Sequence, residues 1–343
     1  MRAVVLQEFG PPDRLVLQQV SDPVPGPGQV LVSVVFANLT FVETQIRAGR
    51  PPVAAMAPKP PVVLGNGVGG TVAAVGAGGD PALVGRRVVG STGGSGGYAE
   101  LVAVDVDELV EVPEKLELAD AVALLADGRT AVGLMDVAQV GQEAANQEEA
   151  GQGTASTAEC VLIEAAAGGV GGLLLQLAVE AGATVVALAG GPQKVAHVRD
   201  LGAAIAVDYS EPGWAERVRT AAGRIDVVFD GVGGEIGSTT FGLLRDGGRF
   251  ISFGGASGAL LAIPEDEATR RSISVLRGGM RGPQERRSLT RRALDLGAAG
   301  RLRPVIGQTF PLERAADAHA AMAGRATIGK TLLTVRAEAE GAR

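Results

Sequence analysis

With a single cysteine, Cys160, the chain cannot form an intramolecular disulfide or a cysteine-based zinc cluster. Histidine is nearly as scarce, and His197 and His319 fall in distant segments, a spacing that argues against a shared metal site. No uninterrupted apolar run is long enough to span a bilayer, and the apolar start MRAVVLQEFG meets Gln7 and Glu8 too early for a secretory signal. The expected location is therefore the cytoplasm. Aromatic residues make up only 3%, with Tyr98 and Tyr209 the sole tyrosines, so there is little choice of phenolic acid. A net charge of −7 offers no electrostatic reason to bind nucleic acid or an anionic membrane. The Arg-rich stretch Arg270 to Arg292 runs against that balance and is expected to be a solvated helix with its connecting loops.

Glycine, at 51 residues, has about twice its usual share, so tight turns and close backbone approaches should be frequent. The most informative of them lies in VLIEAAAGGVGG, Val161 to Gly172, where an apolar strand enters a small-residue turn that opens into a helical pattern. Ala166, Gly168 and Gly171 fit the loose form of the dinucleotide fingerprint. The missing side chains let the backbone turn tightly, approach a pyrophosphate and pack helix on strand, and the N–H groups at the helix start face the negative charge. Ala183 to Ala189, Ile205 to Asp208, Asp226 to Asp230 and Gly248 to Ser252 repeat the strand pattern with helical segments between them. This alternation predicts a parallel α/β unit, with Cys160 a small buried hydrophobe at its first strand.

An acidic residue about 20 positions beyond the fingerprint would accept hydrogen bonds from the ribose hydroxyls of NAD. None is present. The second strand ends in Gly190 and Gly191, followed by Lys194, a small turn and a cation that suit the 2′-phosphate of NADPH. The plainer role for Lys194 is a solvated first-turn lysine, and His197 reads as surface.

Before the fingerprint, β-branched runs such as Leu31 to Ala37, Arg86 to Gly90 and Glu100 to Val104 alternate with Pro/Gly clusters and predict an all-β domain. After it come helix-like Glu285 to Leu296 and Leu312 to Met322, then the strand Lys330 to Val335. These last pieces can return to the first domain.

The motifs FVETQIRAG (Phe41 to Gly49), GGYAELV (Gly96 to Val102), AAAGGVGG (Ala165 to Gly172), DVVFDGVGG (Asp226 to Gly234), GGRFISFGGASG (Gly247 to Gly258) and GKTLLTV (Gly329 to Val335) occur in this order. On them the chain resembles the zinc-independent medium-chain dehydrogenase/reductase superfamily, in its quinone oxidoreductase-like branch. The resemblance implies an α/β fold: a doubly wound Rossmann domain over 126–277, and a GroES-like β-barrel catalytic domain formed by both termini, 1–125 with 278–343. It also implies a small-molecule substrate and a homodimer. Carried over by position, Thr130 should lie near the nicotinamide ribose, and Gly168, Gly169 and Val170 at the pyrophosphate. Gly190, Gly191, Lys194 and Tyr209 should surround the 2′-phosphate. Phe253, Gly254 and Gly255 should line the nicotinamide end, with Arg325 and Lys330 closing over the cofactor. A cap on the sheet is the structural alternative for Tyr209.

The zinc-dependent relatives carry a Gly-His-Glu motif and a four-cysteine lobe, and this chain departs from both. In LGNGVGG, Leu64 to Gly70, Asn66 and Gly67 cannot replace His and Glu as ligands, which disfavours alcohol oxidation. Hydride transfer to an acceptor that is already electrophilic needs orientation and oxyanion stabilisation instead. Where relatives carry Asn and tyrosines, this chain has Thr40, Gln45 and Pro51. Thr40, Gln45, Asn66, Asp127 and Arg129 are candidates for pocket hydrogen bonds, each with a structural alternative; Tyr98 sits in a motif of structural use. Glu43 and Arg47, one helical turn apart, are expected to pair. The polar segment Gly141 to Glu159 reads as an inert insertion, or alternatively a lid or partner site. The function expected is an NADPH-dependent, metal-independent reductase of quinones or α,β-unsaturated carbonyls. Two alternatives stay open: an enoyl reductase on an acyl thioester or biosynthetic enone, and a nucleotide-binding protein without redox chemistry.

Overall fold

A computed structural model describes residues 1–51, 56–141, 158–278 and 282–337. The chain divides into two compact units, Met1–Arg129 with Arg281–Arg343, and Thr130–Met280. Unit 1 begins with β1 (Arg2–Leu6), β2 (Leu15–Gln19), β3 (Gln29–Leu39), α1 (Phe41–Arg47), β4 (Val62–Val63), β5 (Gly67–Val75), β6 (Arg87–Ser91), β7 (Leu101–Asp105), β8 (Leu109–Glu111) and the start of α2 (Leu118–Ala138). Unit 2 contains β9 (Cys160–Ile163), α3 (Gly169–Glu180), β10 (Thr184–Ala189), α4 (Pro192–Asp200), β11 (Ile205–Asp208), α5 (Trp214–Ala222), β12 (Val227–Asp230), α6 (Gly234–Leu243), β13 (Arg249–Ser252), α7 (Glu265–Arg270) and β14 (Ser274–Arg277). Unit 1 then resumes with α8 (Pro283–Ala298), β15 (Ile306–Pro311), α9 (Ala315–Ala323) and β16 (Lys330–Thr334). The boundary expected before residue 126 falls inside α2, at Arg129/Thr130, because that helix runs unbroken through the change of composition.

In unit 1 the strand order is β15-β16-β3-β5-β6-β8, with β7 also on β3. The last strand lies antiparallel on the third, Thr331 to Thr334 against Leu39 to Phe36, so the C-terminal segment completes the sheet begun near the N-terminus. Alternation along β3 sends Val30, Val32 and Val34 into a core shared with Leu6, Leu64, Val68, Val72 and Leu333. In unit 2 the sheet is parallel, ordered β11-β10-β9-β12-β13-β14, which is the doubly wound pattern with its switch point between β9 and β12. Both faces of β9 are covered, and Val161, Leu162 and Ile163 are fully buried. Each contributes on the order of 1.5 to 3 kcal/mol relative to exposure. Cys160 is buried too, and burial pushes its thiol up to about 11, so it packs as a hydrophobe and not as a nucleophile.

Most of the expected insertion, 142–157, lies outside the described residues. Its flanks are tied together: the Gly141 N–H donates to the Glu159 carboxylate at 2.9 Å, and Glu159 pairs with Arg249, which also donates to the Ala138 carbonyl at 2.7 Å. Among the described residues no helix is long and apolar enough to cross a membrane.

Candidate functional site

The small-residue turn after β9 is held by backbone geometry. Ala165 adopts a φ of 46°, and Gly168 caps α3 in extended conformation, so Gly169 and Val170 form the first helical turn with their N–H groups unspent by the helix. Gly171 is required by packing: a Cβ there would lie 2.4 Å from the Ala165 carbonyl oxygen and 2.8 Å from Ala166 Cα. Only glycine lets α3 sit this close to the strand.

At the end of β10 a second turn forms. Gly191 has a φ of 91°, caps α4 ahead of Pro192, and has open space where a side chain would be. Lys194 stands in the first turn of that helix. The Tyr209 ring lies 3.4 Å from where a Gly190 Cβ would be. Gly190, Gly191, Lys194 and Tyr209 thus share one end of the parallel sheet with Gly168, Gly169 and Val170. Phe253, Gly254 and Gly255 join them at the end of β13: the Phe253 N–H bonds the Asp230 carbonyl at 2.9 Å, and its ring lies where a Cβ on Gly231 would be. Thr130 opens unit 2 within α2.

Two acidic features of this end escaped the sequence reading. Asp208, at the tip of β11 and in register with Ala189, accepts the Gly191 N–H at 3.0 Å and the Ser210 N–H at 2.9 Å. Its pKa falls below the usual range, since the bonds from Ser210 and Gly191 outweigh the burial that opposes them. The carboxylate so close to the turn acts as a clamp on it. Glu164 and Asp230 form the second feature. The pairing Ile163↔Phe229 makes them neighbours at the ends of β9 and β12, at the switch point. Glu164, fully buried, accepts from Thr240 Oγ1 at 2.6 Å and the Val232 N–H at 3.1 Å, while Asp230 accepts the Gly233 N–H at 2.6 Å. Burial, then the Asp230 charge, raise the Glu164 pKa well above its usual value. Two apolar strands each ending in an acid, VLIE and DVVFD, were the available signal.

In unit 1 the candidates are committed to local partners. Thr40 caps α1: its N–H donates to Glu43 Oε2 at 2.6 Å, and its hydroxyl donates to the same oxygen at 3.2 Å. Gln45 Nε2 donates to Thr44 Oγ1 at 3.2 Å. Asn66 ties two loops, its N–H donating to Glu43 Oε1 at 2.7 Å and its side-chain oxygen accepting the Gly94 N–H at 2.7 Å. The expected Glu43–Arg47 pair does not form. Both side chains are buried: Glu43 turns inward to the Thr40 and Asn66 N–H groups, and Arg47 donates to the Gly10 carbonyl at 2.6 Å while its Nε is left without a hydrogen-bond partner. Tyr98 is buried as expected of a structural residue. Its hydroxyl donates to Glu43 Oε2 at 3.3 Å and lies 3.1 Å from His319 Nε2. Burial lowers His319 to about 3 and raises Glu43.

Lys330, expected over the cofactor, is 3% exposed, and its ammonium lies 3.0 Å from Asp127 Oδ1. That pair joins β16 to α2 inside unit 1. Arg325 follows α9 in left-handed conformation, φ 57°. Arg129, half-buried, donates to Ser91 Oγ at 3.3 Å.

The model of the alcohol dehydrogenase GroES-like domain family matches residues 26–114, and that of the zinc-binding dehydrogenases residues 201–333. A 2-haloacrylate reductase of Burkholderia sp is 32% identical over 98% of this chain and 99% of its own length. A quinone oxidoreductase of Pseudomonas aeruginosa is 31% identical over 95% and 97%. Among solved structures, Escherichia coli quinone oxidoreductase complexed with NADPH superposes with a TM-score of 0.84 at 26% identity, covering 98% of this chain and all of that one. The residues present do not fit the zinc named by one family model. Asn66 is an amide bonded to a loop, Cys160 and His319 are buried in different units, and no group of three or more His, Cys, Asp or Glu among the described residues could hold a metal ion. By its motifs, its matched domains and these full-length relatives, the chain belongs to the quinone oxidoreductase-like family of medium-chain dehydrogenases/reductases.

Proposed function

We propose that the protein is an NADPH-dependent reductase, working without a metal, that delivers hydride to a quinone or an α,β-unsaturated carbonyl. The observation that carries this reading is the turn after β9. Free N–H groups of Gly169 and Val170 stand at a helix start, at the switch point of a doubly wound sheet, where pyrophosphates are bound. NADPH, when bound, supplies the hydride. Gly168, Gly169 and Val170 hold the pyrophosphate, and the opening beside Gly191 takes the 2′-phosphate between Lys194 and Tyr209. Phe253, Gly254 and Gly255, with Thr130, form the nicotinamide end. Asp208 fixes the phosphate turn, and the Glu164–Asp230 pair fixes the Val232–Gly233 segment beside it. The NADPH complex of the E. coli structure supports the cofactor, and the names of the relatives support acceptors that need no Lewis acid.

An acceptor of this kind is reduced at an electrophilic carbon, so the protein must orient it and stabilise the charge that develops on oxygen. The test is cofactor oxidation by purified protein against quinones, conjugated ketones, conjugated carboxylates and an enoyl thioester. Turnover with the first three classes is expected. Exclusive turnover of the thioester would replace this reading with the enoyl reductase, and tight NADPH binding with no turnover would replace it with a non-redox binder.

A further inference from the structure

Glu164 and Asp230 are two acids without a base. They follow the Ile163↔Phe229 pair at the ends of adjacent parallel strands, both are fully buried, and among the described residues neither makes an ion pair. The donors around them are spent. The Val232 N–H goes to Glu164 Oε2 at 3.1 Å, the Gly233 N–H to Asp230 Oδ1 at 2.6 Å, and the Ser252 hydroxyl to Asp230 Oδ2 at 3.3 Å. Thr240 has one hydroxyl hydrogen and two acceptors in reach, Glu164 Oε1 at 2.6 Å and the Gly237 carbonyl at 3.0 Å. None is left for the contact between the two carboxyls, which lie within hydrogen-bonding reach of each other. Two ionised carboxylates in so buried a place would repel with little screening, and a carboxyl proton is the hydrogen that fits between them. Burial, then the Asp230 charge, puts that proton on Glu164.

The pair stands under the segments assigned to the cofactor. Glu164 leads directly into the Ala165 turn and the start of α3. The Asp230 carbonyl accepts the Phe253 and Gly254 N–H groups at 2.9 and 3.2 Å, and the Val232 carbonyl accepts the Ser257 N–H at 2.9 Å. The elements packed around Glu164 bring no compensating charge. β10 ends in Leu188 and Ala189, α3 begins with Gly169 and Val170, and Glu235 on α6 is exposed. Asp226 and Arg249 stand at the opposite ends of β12 and β13. A pyrophosphate at the start of α3 would therefore add to the charge of Asp230 and make ionisation of Glu164 costlier. We infer that Glu164 keeps its proton in the folded protein, hydrogen-bonded toward Asp230, and is a positioning residue that favours NADPH binding while neutral and opposes it once ionised. The inference rests on the cofactor reading and lies wholly within unit 2.

Ionisation releases the proton to solvent and leaves both carboxylates charged, which sets the sign of each readout. Without cofactor, the infrared difference between wild type and Glu164→Gln at pH 7 should contain the carbonyl band of a neutral carboxylic acid, shifted in D2O. The folded protein then holds a proton that the unfolded chain releases above 4.5, so stability from this group is lost as pH rises. From pH 5 to pH 7 the wild-type unfolding equilibrium constant, relative to that of Glu164→Gln, should rise about tenfold per unit in urea titrations. A missing band or a constant ratio would overturn the neutral acid.

In fluorescence titrations the NADPH Kd of wild type, relative to that of Glu164→Gln, should also rise with pH, by about tenfold per unit above the ionisation of free wild type. Titrations common to both proteins cancel in this ratio. A constant Kd ratio, whether the infrared band fades or persists to the alkaline limit of folding, would overturn the link to the cofactor. Absence of NADPH binding by wild type, with the band present, would overturn the cofactor reading and the link with it, while the neutral acid stands. If Glu164→Gln does not fold, the 13C shift of the assigned Glu164 carboxyl carbon in wild type decides: the position of a neutral acid at pH 7 would support the inference, and that of an ionised carboxylate would refute it.

Discussion

His319→Gln takes a neutral imidazole out of the core of unit 1. The hydroxyl of Tyr98 has one proton and gives it to Glu43, so His319 Nε2 carries the hydrogen that Tyr98 accepts, and Nδ1 is left buried with no hydrogen-bond partner. Protonating Nδ1 would place an unpaired charge in the core beside Arg47, and burial with that neighbour lowers the ring to about 3. In the unfolded chain it titrates near 6.5. Between these values the unfolded state holds the extra proton. The contribution to stability is therefore fully present above pH 6.5 and is lost as pH falls, at about 1.4 kcal/mol per pH unit, until the folded ring also protonates. From pH 7 to pH 5 the loss comes to about 2 kcal/mol. Glutamine has no such proton. Urea unfolding followed by far-ultraviolet circular dichroism should show the variant less stable than wild type at pH 7 by about 1 to 3 kcal/mol, and the gap smaller by about 2 kcal/mol at pH 5. A gap unchanged between the two pH values, or an imidazole signal of His319 titrating in the ordinary histidine range, would refute the buried neutral ring.

Lys194→Ala should weaken NADPH binding by about ten- to a hundredfold, the size of a charge-assisted hydrogen bond, and leave NADH nearly unaffected; fluorescence titration of both cofactors checks this. Gly190→Asp should shift preference toward NADH, because its Cβ meets Tyr209 at ordinary contact distance, whereas Gly191, with a φ of 91°, would strain any side chain. Gly171→Ala drives a methyl into the Ala165 carbonyl and should cost unit 2 about 1 to 3 kcal/mol, with pyrophosphate affinity falling in step, measured by thermal unfolding with and without NADPH. Lys330→Met or Asp127→Asn alone should destabilise by about 3 to 5 kcal/mol and the Asp127→Leu/Lys330→Met pair by much less, since the single changes strand a buried group; a double variant as unstable as the singles would argue against that pairing. Exhaustive chelation should leave reductase rates unchanged, and elemental analysis that finds one tightly held zinc per chain would contradict the metal-free reading.

The chain by itself determined its elements and their order. VLIEAAAGGVGG announced a strand, a turn and a helix within twelve positions, and the strands expected at Ile205 to Asp208 and Asp226 to Asp230 stand as β11 and β12 within a residue. Such features depend on periodicity and on glycine at fixed local offsets, which act over a few residues. What only the tertiary structure decided is which polar groups meet. Lys330 finds Asp127 across 203 positions, and Tyr98 finds His319 across 221. Parallel register alone sets Glu164 beside Asp230 and brings Asp208 to Gly191. Glu43 and Arg47, placed one turn apart by the helix, ignore each other because burial gave each a nearer partner. Charge and hydrogen bonding act through space, and a charge taken out of water pairs with whatever the fold packs against it, not with its neighbour along the chain.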